Sequence, residues 1–167
     1  MAIEMPKSLY NLNLHIEGKG YAGKALSFDP PTIKLNIEGN SSGLLVPRPE
    51  LMGIKGILKA SFELAEYSGK IQNQVGKEST TIIALGTLSD DESESSTGVQ
   101  INMRGILSEY APSKWEPVKP TKDKYTIFAT YFKYSGNEGN LILDVENHKF
   151  SVDGEDIIER IRGKITV

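Results

Sequence analysis

Apolar and polar residues alternate through most of this chain. Leu12, Leu14 and Ile16 are spaced by Asn13 and His15; Ile33, Leu35 and Ile37 by Lys34 and Asn36. Leu58, Ala60, Phe62 and Leu64 alternate with Lys59, Ser61 and Glu63, and Val99, Ile101 and Met103 with Gln100 and Asn102. A repeat of two is that of a strand with one buried face. Residues 80–85 and 125–134 are rich in β-branched and aromatic side chains, which predicts more deeply buried strands. A further strand is predicted over 141–145. It follows Gly136-Asn137-Glu138-Gly139, a turn-forming run, so 125–134 and 141–150 should pair as a hairpin.

Helix signals are few. Ile71 and Val75 stand four apart within 67–75, with Gly76 placed to cap the C-terminus. Residues 156–162 put Ile157, Ile158 and Ile161 on one face, with Asp153 or Asp156 as the N-cap. The expected fold is therefore mainly β: one domain over 1–167, an antiparallel sandwich or barrel with one or two short flanking helices.

Two stretches read as loops without regular structure. Residues 39–56 are rich in Gly, Pro and Ser, yet carry Leu44, Leu45, Val46, Leu51 and Met52. Residues 111–122 hold Pro112, Pro117 and Pro120 around Trp115. Long loops in a small domain are usually functional or disordered, and a disordered linker rarely holds so many apolar side chains. Two readings stay open: burial against another subunit, or folding back onto the chain's own core.

Composition narrows the function. The 167 residues are 38% hydrophobic and 25% charged, as in an ordinary globular domain. No apolar run reaches the ~20 residues of a membrane helix, so membrane insertion is not expected. The first residues lack an apolar core, so no secretory signal is expected. Cysteine is absent, which removes disulfides, thiolate metal sites and a cysteine nucleophile. The net charge is -3, with basic residues scattered, which disfavours ordinary DNA binding.

Four motifs bear on chemistry. Gly18-Lys19-Gly20-Tyr21-Ala22-Gly23-Lys24 fits a phosphate-loop spacing, but Ala25 stands where Ser or Thr should hold magnesium. Pro30 and Pro31 follow too soon for a normal helix, so a Gly-rich turn is the better reading. Asp90, Asp91, Glu92 and Glu94 lie among serines as a solvated hairpin tip without the spacing of a calcium loop. His15 and His148 have no neighbouring His or Cys, so no metal spacing exists. Trp115 and the tyrosines suit a sugar-binding β-sandwich module, though core or interface packing accounts for them better. No enzyme activity, cofactor or metal is expected.

The stretch Met5-Pro6-Lys7-Ser8-Leu9-Tyr10-Asn11-Leu12-Asn13-Leu14, then Glu17-Gly18 and Tyr21-Ala22-Gly23, resembles the opening of the major tail tube proteins of contractile-tailed phages. The middle is similar too: a strand ending in Glu38-Gly39, a Gly-rich loop with Pro, and a strand bearing Phe62. At the C-terminal end come Tyr131, Gly139, Asp144-Val145-Glu146-Asn147 and Val152-Asp153-Gly154-Glu155-Asp156, then Ile161-Arg162-Gly163. Members of the family often carry Phe where this chain has His15 or Ile16.

The resemblance implies hexameric rings whose sheets join around a channel. The rings stack into a tube inside a contractile sheath, with the tape-measure protein and then DNA in the lumen. The implied partners are further copies of the chain, the sheath protein, the tape-measure protein, and baseplate and tail terminator proteins. The implied location is the virion tail, assembled in the host bacterial cytoplasm. Bacteriocin and type VI secretion tubes share the architecture, so protein delivery is the alternative.

Within that frame, the loop 39–56 is expected to make subunit or ring contacts through Leu44, Leu45, Val46, Leu51 and Met52. DNA is expected to pass without specific binding, because basic contacts repeated along a tube would stall it through counterion release. Like charge costs little across a hydrated gap at a Debye length of about 8 Å. Glu63, Asp90, Asp91, Glu92 and Glu94 are the candidate lumen acids. For the Gly-rich motif, ATP titrated calorimetrically should give no saturable heat, and Lys24→Ala should assemble as the parent does. Saturable ATP binding abolished by Lys24→Ala would refute the turn reading.

Overall fold

The computed structural model describes residues 7–41, 43, 45–89 and 96–159. β1 (Ser8–Ile16) turns at Glu17 and Gly18 into the two-residue β2 (Lys19–Gly20). β3 (Ala25–Asp29) follows, then β4 (Lys34–Asn40), β5 (Arg48–Lys55) and β6 (Leu58–Leu64). After the helix α1 (Gly69–Gln72) the chain runs as a meander: β7 (Thr80–Ser89), β8 (Ser96–Pro112), β9 (Asp123–Gly136), β10 (Gly139–Asp144), β11 (Lys149–Val152) and β12 (Glu155–Asp156). Every strand pairing is antiparallel.

The main sheet has ten strands in the order β12-β11-β10-β9-β8-β7-β1-β2, with β6 on β9 and β3 beyond β6. β6 and β10 share one edge of β9. Leu58–Leu64 pairs with residues 129–123, and Gly139–Asp144 with residues 136–131. β8 covers the other edge of β9 along its length. The two long strands therefore join a wide sheet to a four-stranded one, β3-β6-β9-β8.

Both parts line one core. Leu14, Ile16, Ile82 and Met103 come from the wide sheet; Phe62, Leu64, Leu107 and Ile127 from the narrow one. Ile71 of α1 joins them. The alternating patterns of β1 and β6 bury their expected faces, and 125–134 with 141–144 form the expected hairpin. Residues 145–148 turn, so the second arm of that hairpin continues as the separate strand β11.

Three expectations are corrected. The first predicted helix is regular only over Gly69–Gln72, because Gln74 and Val75 donate three residues back, to Ile71 and Gln72, and tighten the end. Gly76, at φ +82°, does end this segment and donates to the Leu107 carbonyl at 2.8 Å. At the start of the second predicted helix, Asp156 pairs with β11 beside Glu155, and Ile157 N–H donates to the Phe150 carbonyl at 2.8 Å; Asp156 Oδ1 accepts the Ile158 N–H at 3.1 Å, and Glu159 is helical. Asp153 caps no helix; its Oδ1 accepts the Asn140 N–H at 2.8 Å. Residues 160–162 of that prediction lie outside the described ones. Third, residues 39–56 are not an irregular loop, because β5 pairs with β4 from Lys55 to Arg48.

A chain of polar side chains runs into the core. Gln72 Nε2 donates to the Tyr110 hydroxyl at 3.0 Å, which donates to Asp123 Oδ2 at 3.3 Å. Asp123 is fully buried, and its Oδ1 has no hydrogen-bond partner among the described residues. Burial pushes its carboxyl above the ordinary carboxylate range, and the Tyr110 hydrogen bond only partly offsets this. Burial and then the Asp123 charge likewise raise the Tyr125 hydroxyl, whose ring stacks between Phe62 and Tyr110 with centroids 5.2 Å from each.

Two outcomes follow from this packing. A Cβ at Gly105 would lie 2.1 Å from the Phe128 carbonyl oxygen and 2.6 Å from Ala129 Cα. Backbone atoms cannot rotate away, so Gly105→Ala should lower stability in urea by about 3 kcal/mol or prevent folding; a parental midpoint would contradict this. Asp123 holds its proton more tightly folded than unfolded. Its stabilisation is complete below the unfolded pKa and is lost as pH rises through the folded pKa. Asp123→Asn keeps an acceptor for Tyr110. It should exceed the parent in urea stability at neutral pH, with the gap closing in mild acid; a gap independent of pH would count against this account.

Candidate assembly interface

β4 and β5 pair only with each other and form a separate two-stranded arm. An isolated hairpin is marginal in water without a surface to pack on. One face of the arm is apolar, with Leu35 opposite Ile54 and Ile37 opposite Leu51. Ile54 and the preceding Ile33 pack on the core, but Ile37 is 60% exposed and Leu35 is also exposed. The expectation that Ile33, Leu35 and Ile37 share one buried face therefore holds only at Ile33. The β4 repeat covers itself with nothing farther out, because the arm has left the sheet.

The candidate contact residues lie along this arm. Leu45 and Val46, at the turn between the strands, are 106% and 74% exposed. Met52 is exposed and Leu51 half-buried. Leu44 lies outside the described residues. The charged face of the arm was not read from the sequence. Lys34 stands directly opposite Lys55, and Glu38 directly opposite Glu50. None of the four makes an ion pair among the described residues. The bulge between Asn36 and Ile37 shifts the register, so the sequence alone gives no sign of these pairs.

At the base of the arm an apolar groove of about 660 Å³ opens between the β5–β6 bend and the β9–β10 surface. Ile57, Ile106, Phe128 and Val145 line it, and His148 and Lys149 stand beside them. Asp144, also at the groove, is held by its own turn: its carboxylate accepts from Asn147 N at 3.1 Å and Nδ2 at 2.7 Å. Those hydrogen bonds keep its pKa below the usual range.

The four-stranded sheet is open at both sides among the described residues. β3 pairs only with β6, and beyond Gly105 the outer edge of β8 takes one backbone bond, from Gly76 to Leu107. The outer face of this sheet carries Glu63, opposite Lys124, together with Asp29, Lys59 and Glu109. Glu63 is thus the candidate acid that the structure places on a sheet face; Asp90, Asp91, Glu92 and Glu94 lie outside the described residues.

The remaining motifs have local roles. Lys24 Nζ lies 2.7 Å from Glu66 Oε2, and that hydrogen bond lowers the Glu66 pKa. The residues after Lys24 form β3, not a helix. His15 Nε2 sits 3.2 Å from Asn13 Nδ2. Trp115 meets Tyr67 edge-on at 84°, which is not the coplanar array of a sugar platform. Among the described residues no three His, Cys, Asp or Glu side chains gather as a metal site.

The chain is similar to known proteins of phage tails and contractile injection systems. Residues 6–165 match the family model of phage tail tube protein FII. The chain is 23% identical over 168 residues to the tail tube protein of Escherichia phage P2, covering 96% of this chain and 98% of that one. Its fold is similar, at a TM-score of 0.60 and 11% identity, to a chain in a cryo-EM structure of an extracellular contractile injection system, the PVC sheath/tube terminator in the extended state. That match covers 80% of this chain and 99% of the other.

Proposed function

This chain belongs to the phage tail tube protein FII family, and from that membership we propose that six copies close into a ring, the rings stacking into a hollow tube that conducts DNA. At the coarser level the role is that of a structural, non-catalytic component of contractile tail machinery. The observation that carries the ring is the four-stranded sheet β3-β6-β9-β8, open along β3 on one side and along the end of β8 on the other. Unpaired edges invite further pairing, and a closed circle of subunits removes them. A head-to-tail contact closes when its rotation closes.

In this reading the outer face of that sheet lines the channel. Asp29, Glu63 and Glu109 share that face with Lys59 and Lys124, which leaves the lining close to neutral with a slight acidic excess. Such a wall lets DNA and the tape-measure protein pass without the cumulative phosphate contacts of a basic groove. The sheath would surround the tube, with baseplate and terminator proteins at its ends, and assembly would take place in the host cytoplasm. Delivery of protein by a bacteriocin or secretion tube is the second reading, supported by the fold shared with the injection-system chain.

The arm makes the contacts between subunits or stacked rings, since nothing among the described residues covers its tip. Exposed Leu and Val gain roughly 1.5–3 kcal/mol each on full burial, so a neighbour that covers them stabilises the stack. Replacing Leu44 and Leu45 with Ser should leave a folded subunit with parental circular dichroism and abolish tubes in negative-stain micrographs. Normal tubes from this double variant would refute the role of the arm.

A further inference from the structure

We propose that Asp123 is the pin of a proton-controlled latch: with its carboxyl protonated, α1 and the loop of residues 113–122 are held against the end of the four-stranded sheet, and its ionisation lets both loosen. This latch belongs to the single subunit and stands independently of the ring-and-stack reading. Three strands and a helix meet at the carboxyl. Asp123 opens β9 and pairs with Leu64 at the end of β6 and with Pro112 at the end of β8. Tyr110 of β8 stands between α1 and Asp123, accepting from Gln72 Nε2 at 3.0 Å and donating to Asp123 Oδ2 at 3.3 Å. The loop closes on itself just above the Pro112–Asp123 pair. Ser113 N–H donates to the Lys122 carbonyl at 2.8 Å, and Lys122 N–H to Ser113 Oγ at 2.9 Å. Trp115 of the loop meets Tyr67, two residues before α1, with ring centroids 5.6 Å apart. The two movable parts therefore touch each other and share one root. Trp115 and Val118 are exposed, Val118 completely and at φ +71°, so the latch sets how firmly an apolar tip is held.

The surroundings of the carboxyl supply the proton control. Neither Asp123 Oδ1 nor the Tyr125 hydroxyl has a hydrogen-bond partner among the described residues, and both side chains are buried. The titratable neighbours are tyrosines: Tyr110 from β8, Tyr125 from β9, and beside Tyr125 also Tyr21 and Tyr67. The Tyr21 hydroxyl is engaged with Ser68 Oγ at 3.3 Å. No lysine or arginine pairs with Asp123 among the described residues. Lys19 Nζ stands over the Tyr21 ring, 5.1 Å from its centroid; Lys24 is paired with Glu66; Lys70 of α1 and Lys124 of β9 are exposed. Burial and then the Asp123 charge raise the Tyr110 hydroxyl, as they do that of Tyr125, so the carboxyl is the group that titrates. An ionised carboxylate in this place is dry and short of a donor, which costs more than the neutral acid. Opening that admits water to Oδ1 relieves that cost, so the closed form binds the proton more tightly than the open one. Closure is firmest in mild acid. It weakens about tenfold per pH unit as pH rises through the window between the two pKa values, and is constant above it.

Amide hydrogen exchange on the folded subunit, corrected for the intrinsic effect of pH, tests the latch. Trp115, the one tryptophan of the chain, is a second probe. The Gln74, Val75 and Gly76 amides donate to Ile71, Gln72 and Leu107 in the closed form. Their protection should fall about tenfold per pH unit across the window, and acrylamide quenching of Trp115 should rise over the same range. These amides should exchange faster than the core amides of β7 and β8 and be insensitive to low urea, the mark of local opening. Asp123→Asn should remove the pH dependence of both probes. Gln72→Met, at a half-buried position, leaves the core side chains in place and cuts α1 off from Tyr110. Its α1 protection should be low in mild acid and flat with pH. Exchange of the α1 amides at the core rate, with equal urea sensitivity, would mean that only global unfolding responds and would overturn the latch. A pH response that survives in Asp123→Asn would overturn Asp123 as its pin. Protection in Gln72→Met that still tracks pH would overturn the coupling through Tyr110.

Discussion

β9 has to satisfy hydrogen-bonding groups along both edges, and one of those edges is divided. β6 occupies it as far as Ala129, and β10 begins at Tyr131. At the boundary the Thr130 carbonyl accepts the Val145 N–H at 2.9 Å, so the change of partner leaves no gap in the ladder. Directly across the sheet, β8 slips by one residue between Arg104 and Gly105. Because β6 must stop where β10 starts, the chain leaves the sheet there, and the arm is the segment that leaves. The narrow sheet, its open edges and the groove at the arm's base all follow from this division.

The sequence revealed strands more readily than their company. Leu58 to Leu64 alternate and bury one face as expected, because both sides of β6 pair within the chain. Leu35 and Ile37 alternate just as clearly and stay exposed. Periodicity reports that a face is to be covered; it does not say by which molecule. The Gly, Pro and Ser content of 39–56 obscured β5, which accommodates Pro49 because its other edge is free. The second predicted helix starts later than expected for another reason: Glu155 and Asp156 had an open strand to pair with, and tertiary pairing outweighed local propensity there.

The candidate site was legible in part. Leu45, Val46 and Met52 could be picked out as apolar residues in a polar stretch, and they are exposed. The facing lysines and facing glutamates could not, since a bulge decides which residues stand opposite. Glu63 could be placed on the polar side of a strand but not on a particular wall of the molecule. Asp123 gave no signal in the sequence at all. Its burial depends on the meeting of β8, β9 and α1, which brings Tyr110 and Gln72 to it from 13 and 51 positions away.

The order of pairing also bears on how the chain is made. From β7 onward each strand pairs with its successor, so that half can fold through local contacts, which form fast. Of the earlier strands, only β1–β2 and β4–β5 pair with a neighbour in sequence. β1 needs β7, and β6 needs β9, both far downstream. A ribosome therefore releases the unpaired strands and the apolar arm well before their partners. Like charges facing each other across the arm disfavour its stray pairing during that interval, and β1 and β6 close only when the meander is complete. In a chain built this way the long-range pairings of β1 and β6 close last, after the arm has already left the ribosome.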